Sequence, residues 1–400
     1  MNRRFSLSLV TLLCVLFFSC NNRSGGSVYD TPDFAAEAKQ QYSEAAADIF
    51  SEVSVRARSI LDSLTLEQRV SQLMLVGVDN KSELSPWNRN FLQDTMPGGV
   101  LLFGYNIADT IEETAAFVSS VSEAVETGCG IPPFITIDHE GGDVNRLRFL
   151  NIKLPAAADV PLICTPDEAV RLYAASGEQL SSIGITLNLA PVVEVLNDSN
   201  SAVLAGRAFS GSASVVCEYA GSFINGMGSA GILSAVKHFP GNADDDPHLS
   251  LPVLDIAYDV FKRDYLLPFT NVFRYKPAAV MMSHLVVSCV DPGVPSCLSR
   301  KMVTGILREG LGFRGLILSD DIRMAALGEN GFSPEKAALM AIDAGVTMIM
   351  ISGGDLWSIH DAIVSAARDD PLLAAKIDTA AEMVLAAKIQ NGLLRREIPL

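Results

Sequence analysis

The run "PFITIDHEGG", residues 133–142, decides how the rest of the chain is read. Phe134 to Ile137 are strand-forming side chains with no polar alternation. A strand of that kind is buried on both faces, which is the habit of a parallel sheet covered by helices. An Asp, a His and a Glu then arrive together, and two glycines turn the chain. The same pattern recurs as "LMLVGV" (73–78), "GVLLFG" (99–104), "ITLNLAPV" (185–192), "ILSAVKHF" (232–239), "AAVMMSH" (278–284), "GLILSD" (315–320) and "VTMIMIS" (346–352). Helical patterns such as "DTIEETAAFVSSVSEAVE" and "SPEKAALMAIDA" separate most of these runs. Eight strand–helix units predict an α/β protein built on a single (β/α)8 TIM-type barrel. The alternative is a doubly wound open sheet. No glycine-rich dinucleotide fingerprint follows the first strand, which counts against it. The sequence shows no internal repeat and no boundary of a second domain.

Polar residues gather where these runs end: Asp138, His139 and Glu140 after the third, Lys237 and His238 after the fifth, His284 after the sixth, Asp320 and Asp321 after the seventh. In a barrel all these ends share one rim, and active sites lie there.

The chain has 400 residues, 49% of them hydrophobic and 19% charged, enough for one large core. Its net charge is −16, with no basic stripe, so a nucleic-acid partner is not expected. A neutral ligand suits an acidic surface better than an anionic one. The N-terminus reads as a targeting segment: "MNRR" is basic and "FSLSLVTLLCVLFF" is apolar but short for a membrane span. "FFSC" ends it as a bacterial lipobox does, so residues 1–19 are expected to be a lipoprotein signal peptide cut before Cys20, which then carries the lipid. The plainer reading is an ordinary signal peptide or an uncleaved anchor. Residues 20–33 read as a flexible tether, 34–63 as a helical extension and 64–400 as the barrel, with Thr65 and Gln68 spaced as a capping box. This arrangement predicts a monomer in the cell envelope, on the periplasmic side or the outer surface, held to the membrane through Cys20. Cys289 and Cys297 flank a loop, and both a disulfide and two free thiols are open. The cysteine spacing matches no metal motif, and neither a metal nor a cofactor is expected.

Three segments carry chemistry. "LILSDDIRM" places Asp320 at the end of a buried strand, where a carboxylate serves as a nucleophile or a metal ligand; the plainer reading is a helix cap, with Asp321 capping. "DHEGGDVNRLR" offers Asp138 and Arg146, and "AGRAF" offers Arg207. Carboxylates and guanidiniums of this kind form ion pairs or grip vicinal hydroxyls. "KHFPGNADDDPHLSLP", residues 237–252, places two of the five histidines beside three consecutive Asp. Asp246 and His248 are two apart across Pro247, so an extended segment sets them side by side as a general acid/base pair. An exposed acidic turn is the equally open alternative.

"ITIDHEGGDVNRLRF", "NLAPVVEV", "GRAF", "KHFPG…DPHLSLP" and "GLILSDDIRMAAL" occur in the order and approximate spacing of glycoside hydrolase family 3. The chain resembles its single-domain bacterial β-N-acetylhexosaminidases from about Leu64 to about Leu394. The resemblance implies a retaining exo-β-N-acetylglucosaminidase that acts on peptidoglycan fragments or chito-oligosaccharides through a glycosyl-enzyme intermediate. Asp320 would be the nucleophile and His248 with Asp246 the acid/base dyad, while Asp138, Arg146, Arg207, Lys237 and His238 would hold the sugar. The sequence departs from the family at Asn242 and Ala243, which replace His-Gly, at Pro247, which replaces Ser, and at Asp143, where Arg is common. The dyad loop is about two residues shorter. Alternatives are a phosphorylase or a β-glucosidase of the same family and, in another class, a non-catalytic sugar-binding lipoprotein.

Overall fold

A computed structural model describes residues 45–150, 152–243 and 250–394. The apolar runs are eight strands: β1 (Met74–Gly77), β2 (Gly99–Leu102), β3 (Phe134–Ile137), β4 (Leu187–Asn188), β5 (Leu233–Phe239), β6 (Ala279–Met282), β7 (Leu316–Leu318) and β8 (Ile349–Ile351). They lie in the order β7-β6-β5-β4-β3-β2-β1-β8, each parallel to its neighbours. A parallel bridge between Leu318 and Met348 joins β7 to β8 and closes the ring. The fold is the (β/α)8 barrel, and closure removes the open edges of a doubly wound sheet.

The helices begin where the sequence supplies caps. Thr110 accepts from the Glu113 amide at the head of Ile111–Cys129, Thr165 forms a capping box with Glu168 ahead of Pro166–Ile183, and Ser333 caps Pro334–Ala344. The Thr65–Gln68 box heads Leu66–Gln72, and Ala45–Ser63 is a helix before it. The expected signal segment, Cys20 and the expected tether lie outside the described residues. Among the described residues no helix is long and apolar enough to cross a membrane.

Side-chain alternation divides the core in two. Met74, Val76, Val100, Ile135, Val236, Val280 and Ile317 face the helices in one buried cluster. Leu75, Leu101, Phe134, Leu187, Ala235, Ala279, Met281, Leu316, Leu318, Met348 and Met350 fill the barrel interior in another. Counting on by twos from the interior residues reaches Asp138 from Phe134, Lys237 from Ala235 and Asp320 from Leu316. The rim groups therefore continue the rows that point at the barrel axis.

Tight backbone contact closes the opposite end. The Gly98 amide donates to the Ser71 carbonyl at 2.8 Å, and a Cβ on Gly98 would lie 2.0 Å from the Gln72 carbonyl oxygen. Gly98→Ala is expected to lower unfolding stability by about 1–3 kcal/mol in a urea titration, because the backbone on both sides must move. The site at the far rim keeps its turnover number.

Candidate active site

The third strand leads into a small antiparallel hairpin, His139–Gly141 against Val144–Asn145. Gly141 sits at φ +101°, and a Cβ there would meet the Pro155 carbonyl oxygen at 2.1 Å, so only glycine fits this turn. The hairpin holds Asp138, Glu140 and Arg146 at the rim. Lys237, at the end of β5, reaches both acids: Nζ lies 2.5 Å from Asp138 Oδ1 and 2.8 Å from Glu140 Oε1. Arg207 follows the short helix Ser201–Leu204 and grips Glu140 with both arms, Nε to Oε2 at 2.9 Å and Nη2 to Oε1 at 2.8 Å.

Glu140 is thus a buried anion between two cations. Burial alone would raise its carboxyl, but Lys237 and Arg207 outweigh burial and hold it far below the usual carboxylate range. The partners respond in kind. Burial works against the Lys237 ammonium, yet Asp138 and Glu140 raise it, and Arg207 is raised by Glu140 in the same way. Glu140→Gln keeps the volume and removes the charge. It is expected to reduce folding stability by about 3 kcal/mol in guanidinium denaturation, the range for breaking one side of a buried ion pair.

His238 is fixed by Glu194, a carboxylate outside the strand-end clusters. Glu194 Oε1 accepts from the His238 amide at 3.1 Å and lies 2.8 Å from Nδ1. A carboxylate only accepts, so Nδ1 carries the proton and Nε2 is left as an acceptor, 3.4 Å from Arg207 Nη2. Asn242 Nδ2 donates to Glu194 at 2.9 and 3.2 Å. Asn242, where the family has His, therefore holds the acid that orients His238.

Asp320 closes the set from β7. Burial would raise its carboxyl, but His284, which takes up a proton as pH falls, together with the Asp321 amide and the Lys237 ammonium outweighs it and holds the carboxyl below its usual value. The Asp321 amide donates to Asp320 Oδ1 at 2.8 Å. Asp321 caps no helix: its Oδ1 accepts from the Arg323 amide at 3.1 Å and the Ser352 amide at 3.2 Å, and the next helix, Ala325–Gly328, starts at Met324 with no side-chain cap. It instead ties the loop after β7 to the end of β8. His284 lies below this loop, with Nε2 3.0 Å from the Asp321 carbonyl and Nδ1 3.1 Å from Cys297 Sγ. Burial pushes His284 down and the Cys297 thiol up. The neutral ring therefore donates from Nε2 to the carbonyl and accepts from the thiol at Nδ1. Cys289 and Cys297 are both free thiols, not a disulfide.

Arg146 is half-buried, and its Nε is buried without a hydrogen-bond partner among the described residues. A donor in that state awaits an acceptor. Asp246 and His248 lie outside the described residues, in the stretch 244–249. Among the described residues no group of three or more His, Cys, Asp or Glu is arranged to hold a metal ion. The structure thus brings together Asp138, Lys237, His238, Arg207 and Asp320 and adds Glu140, Glu194 and His284. Glu140 and His284 are visible in the sequence as strand-end polar residues, whereas Glu194 enters it only within the family segment "NLAPVVEV", with no role assigned.

A parallel barrel whose mouth combines an axial strand-end carboxylate with paired acids and bases that can grip hydroxyls is a barrel of the glycoside-hydrolase class. The chain belongs to glycosyl hydrolase family 3: the model of that family's N-terminal domain matches residues 65–387. A β-hexosaminidase of Stenotrophomonas maltophilia (strain R551-3) is 32% identical over 292 residues, 71% of this chain and 84% of that one. The crystal structure of a β-N-acetylhexosaminidase from Beutenbergia cavernae DSM 12333 superposes with a TM-score of 0.75 at 32% identity, over 82% of this chain and 99% of that one. The β-hexosaminidase LpqI of Mycobacterium tuberculosis (strain ATCC 25618 / H37Rv) is 29% identical over 340 residues, 82% of this chain and 84% of that one.

Proposed function

We propose that the chain is a retaining exo-β-N-acetylglucosaminidase that releases terminal β-linked N-acetylglucosamine from peptidoglycan fragments or chito-oligosaccharides. The observation that carries this reading is Asp320: an axial carboxylate at the rim, held as an anion, beside a wall of hydroxyl-binding groups. In the first step the Asp320 carboxylate attacks the anomeric carbon while His248 gives its proton to the departing glycosidic oxygen. In the second step His248 takes a proton from water, which displaces Asp320 from the anomeric carbon. Asp246 holds the His248 tautomer. Asp138, Lys237, His238, Arg207 and Arg146 bind the ring hydroxyls and the acetamido group, with the orphaned Arg146 Nε as one donor. The relatives' names support the acetylated sugar. The protein acts as a monomer in the cell envelope, anchored at Cys20 after removal of residues 1–19.

The test is hydrolysis of 4-nitrophenyl β-N-acetylglucosaminide and of the matching β-glucoside by protein starting after Cys20. The expected result is release from the acetylated substrate in preference to the glucoside, with no dependence on added inorganic phosphate. Equal or greater release from the glucoside overturns the substrate assignment. Turnover that needs phosphate overturns the hydrolytic one.

A further inference from the structure

A second hollow opens on the same rim, on the side of β1, β2 and β8. It encloses about 450 Å³ and is lined by Gly77, Asp79, Asn80, Trp87, Tyr105 and the Ser352–Gly354 turn, among others. Two features make it a site rather than a gap. Its walls carry two large aromatic rings with solvent-facing surfaces: Trp87 is 45% exposed and Tyr105 57%. Each ring is braced from behind, Trp87 stacked on Phe91 at 5.9 Å and Tyr105 on Phe103 at 5.4 Å, so neither need collapse to find a partner. Its floor is glycine backbone, since a Cβ on Gly77 would strike the Ser352 carbonyl oxygen at 2.3 Å. Polar groups share the lining with the rings. Asp79 accepts from the Ser85 amide at 3.2 Å, and burial together with Asp79 pushes the Tyr105 hydroxyl up, so it stays a donor.

The hollow is joined to the carboxylate that the mechanism uses. Asp321, next to Asp320, accepts from the amide of Ser352, which lines the hollow. The Arg323 guanidinium, on the same loop as Asp320, lies where a Cβ of Gly354 would stand. Braced aromatic faces and scattered hydroxyl partners suit a polyhydroxylated ring.

Resting on the proposed glycosidase activity, we propose that this hollow is the subsite for the leaving group and binds the second pyranose of an oligosaccharide between Trp87 and Tyr105. The experiment compares chitobiose with methyl β-N-acetylglucosaminide, which has no second ring. In Trp87→Ala and in Tyr105→Ala the ratio of kcat/KM for chitobiose to kcat/KM for the methyl glycoside is expected to fall about tenfold. An unchanged ratio in both variants overturns the subsite, whatever the absolute rates. If the parent protein hydrolyses neither compound, the glycosidase reading fails, and chitobiose binding followed by tryptophan fluorescence still decides the subsite. Quenching that disappears in Trp87→Phe supports it, and no fluorescence change in the parent protein overturns it.

Discussion

Asp320→Ala is expected to lower kcat on 4-nitrophenyl β-N-acetylglucosaminide by at least about a thousandfold, the scale on which removal of a covalent nucleophile acts. The reason is positional. Asp320 continues the interior row Leu316–Leu318, so its carboxylate stands at the barrel axis and no neighbouring acid can replace it. Asp321 is occupied with the amides of Arg323 and Ser352, and Asp138 and Glu140 are committed to Lys237. Removing the carboxylate leaves a space beside the anomeric carbon. Added azide should therefore restore part of the activity and give the glycosyl azide of inverted configuration. Full activity in Asp320→Ala, or azide that has no effect, would remove Asp320 from the chemistry. Because the folded site holds the Asp320 carboxyl below its usual value, this carboxylate stays ionised as pH falls. The acid limb of kcat/KM should accordingly lie below the ordinary carboxylate range and move upward if Lys237 is replaced by Met.

The second large effect belongs to His248. His248→Ala is expected to reduce kcat/KM on chitobiose by about 10²–10⁴-fold, the range for a general acid. The loss on a 2,4-dinitrophenyl glycoside should be far smaller, because that leaving group departs without a proton. A His acid also sets the alkaline limb. The first step needs the protonated ring, so kcat/KM should fall on the alkaline side, and that limb should be missing in His248→Ala. An equal loss on both substrates would assign His248 a structural role instead.

How much of this is legible in the sequence differs from group to group. The barrel is, because eight unalternated apolar runs separated by helices have few other ways to be covered. The axial direction of Asp138, Lys237 and Asp320 follows from period-two alternation once the interior row is known. The pairing is not legible. Glu140 meets Arg207 across 67 residues and Lys237 meets Asp138 across 99, and no local pattern encodes such a choice. Asp321 shows the limit from the other side: Ser-Asp-Asp reads locally as a cap, but one of the two amides it serves belongs to Ser352 at the end of β8, supplied by barrel closure. Asn242 stands out in the sequence only as a departure from the family, and its role becomes visible once Glu194 lies against His238.

The central claim is that Asp320 forms a covalent bond to the sugar. The most direct measurement is to inactivate the enzyme with a 5-fluoro-N-acetylglucosaminyl fluoride, digest it and find the modified peptide by mass spectrometry. The expected result is one fluoro-sugar adduct on the peptide containing "LILSDD", placed on Asp320 by fragmentation and absent in Asp320→Ala. An adduct on Asp138 or Glu140, or turnover of the reagent with no adduct, would contradict the assignment.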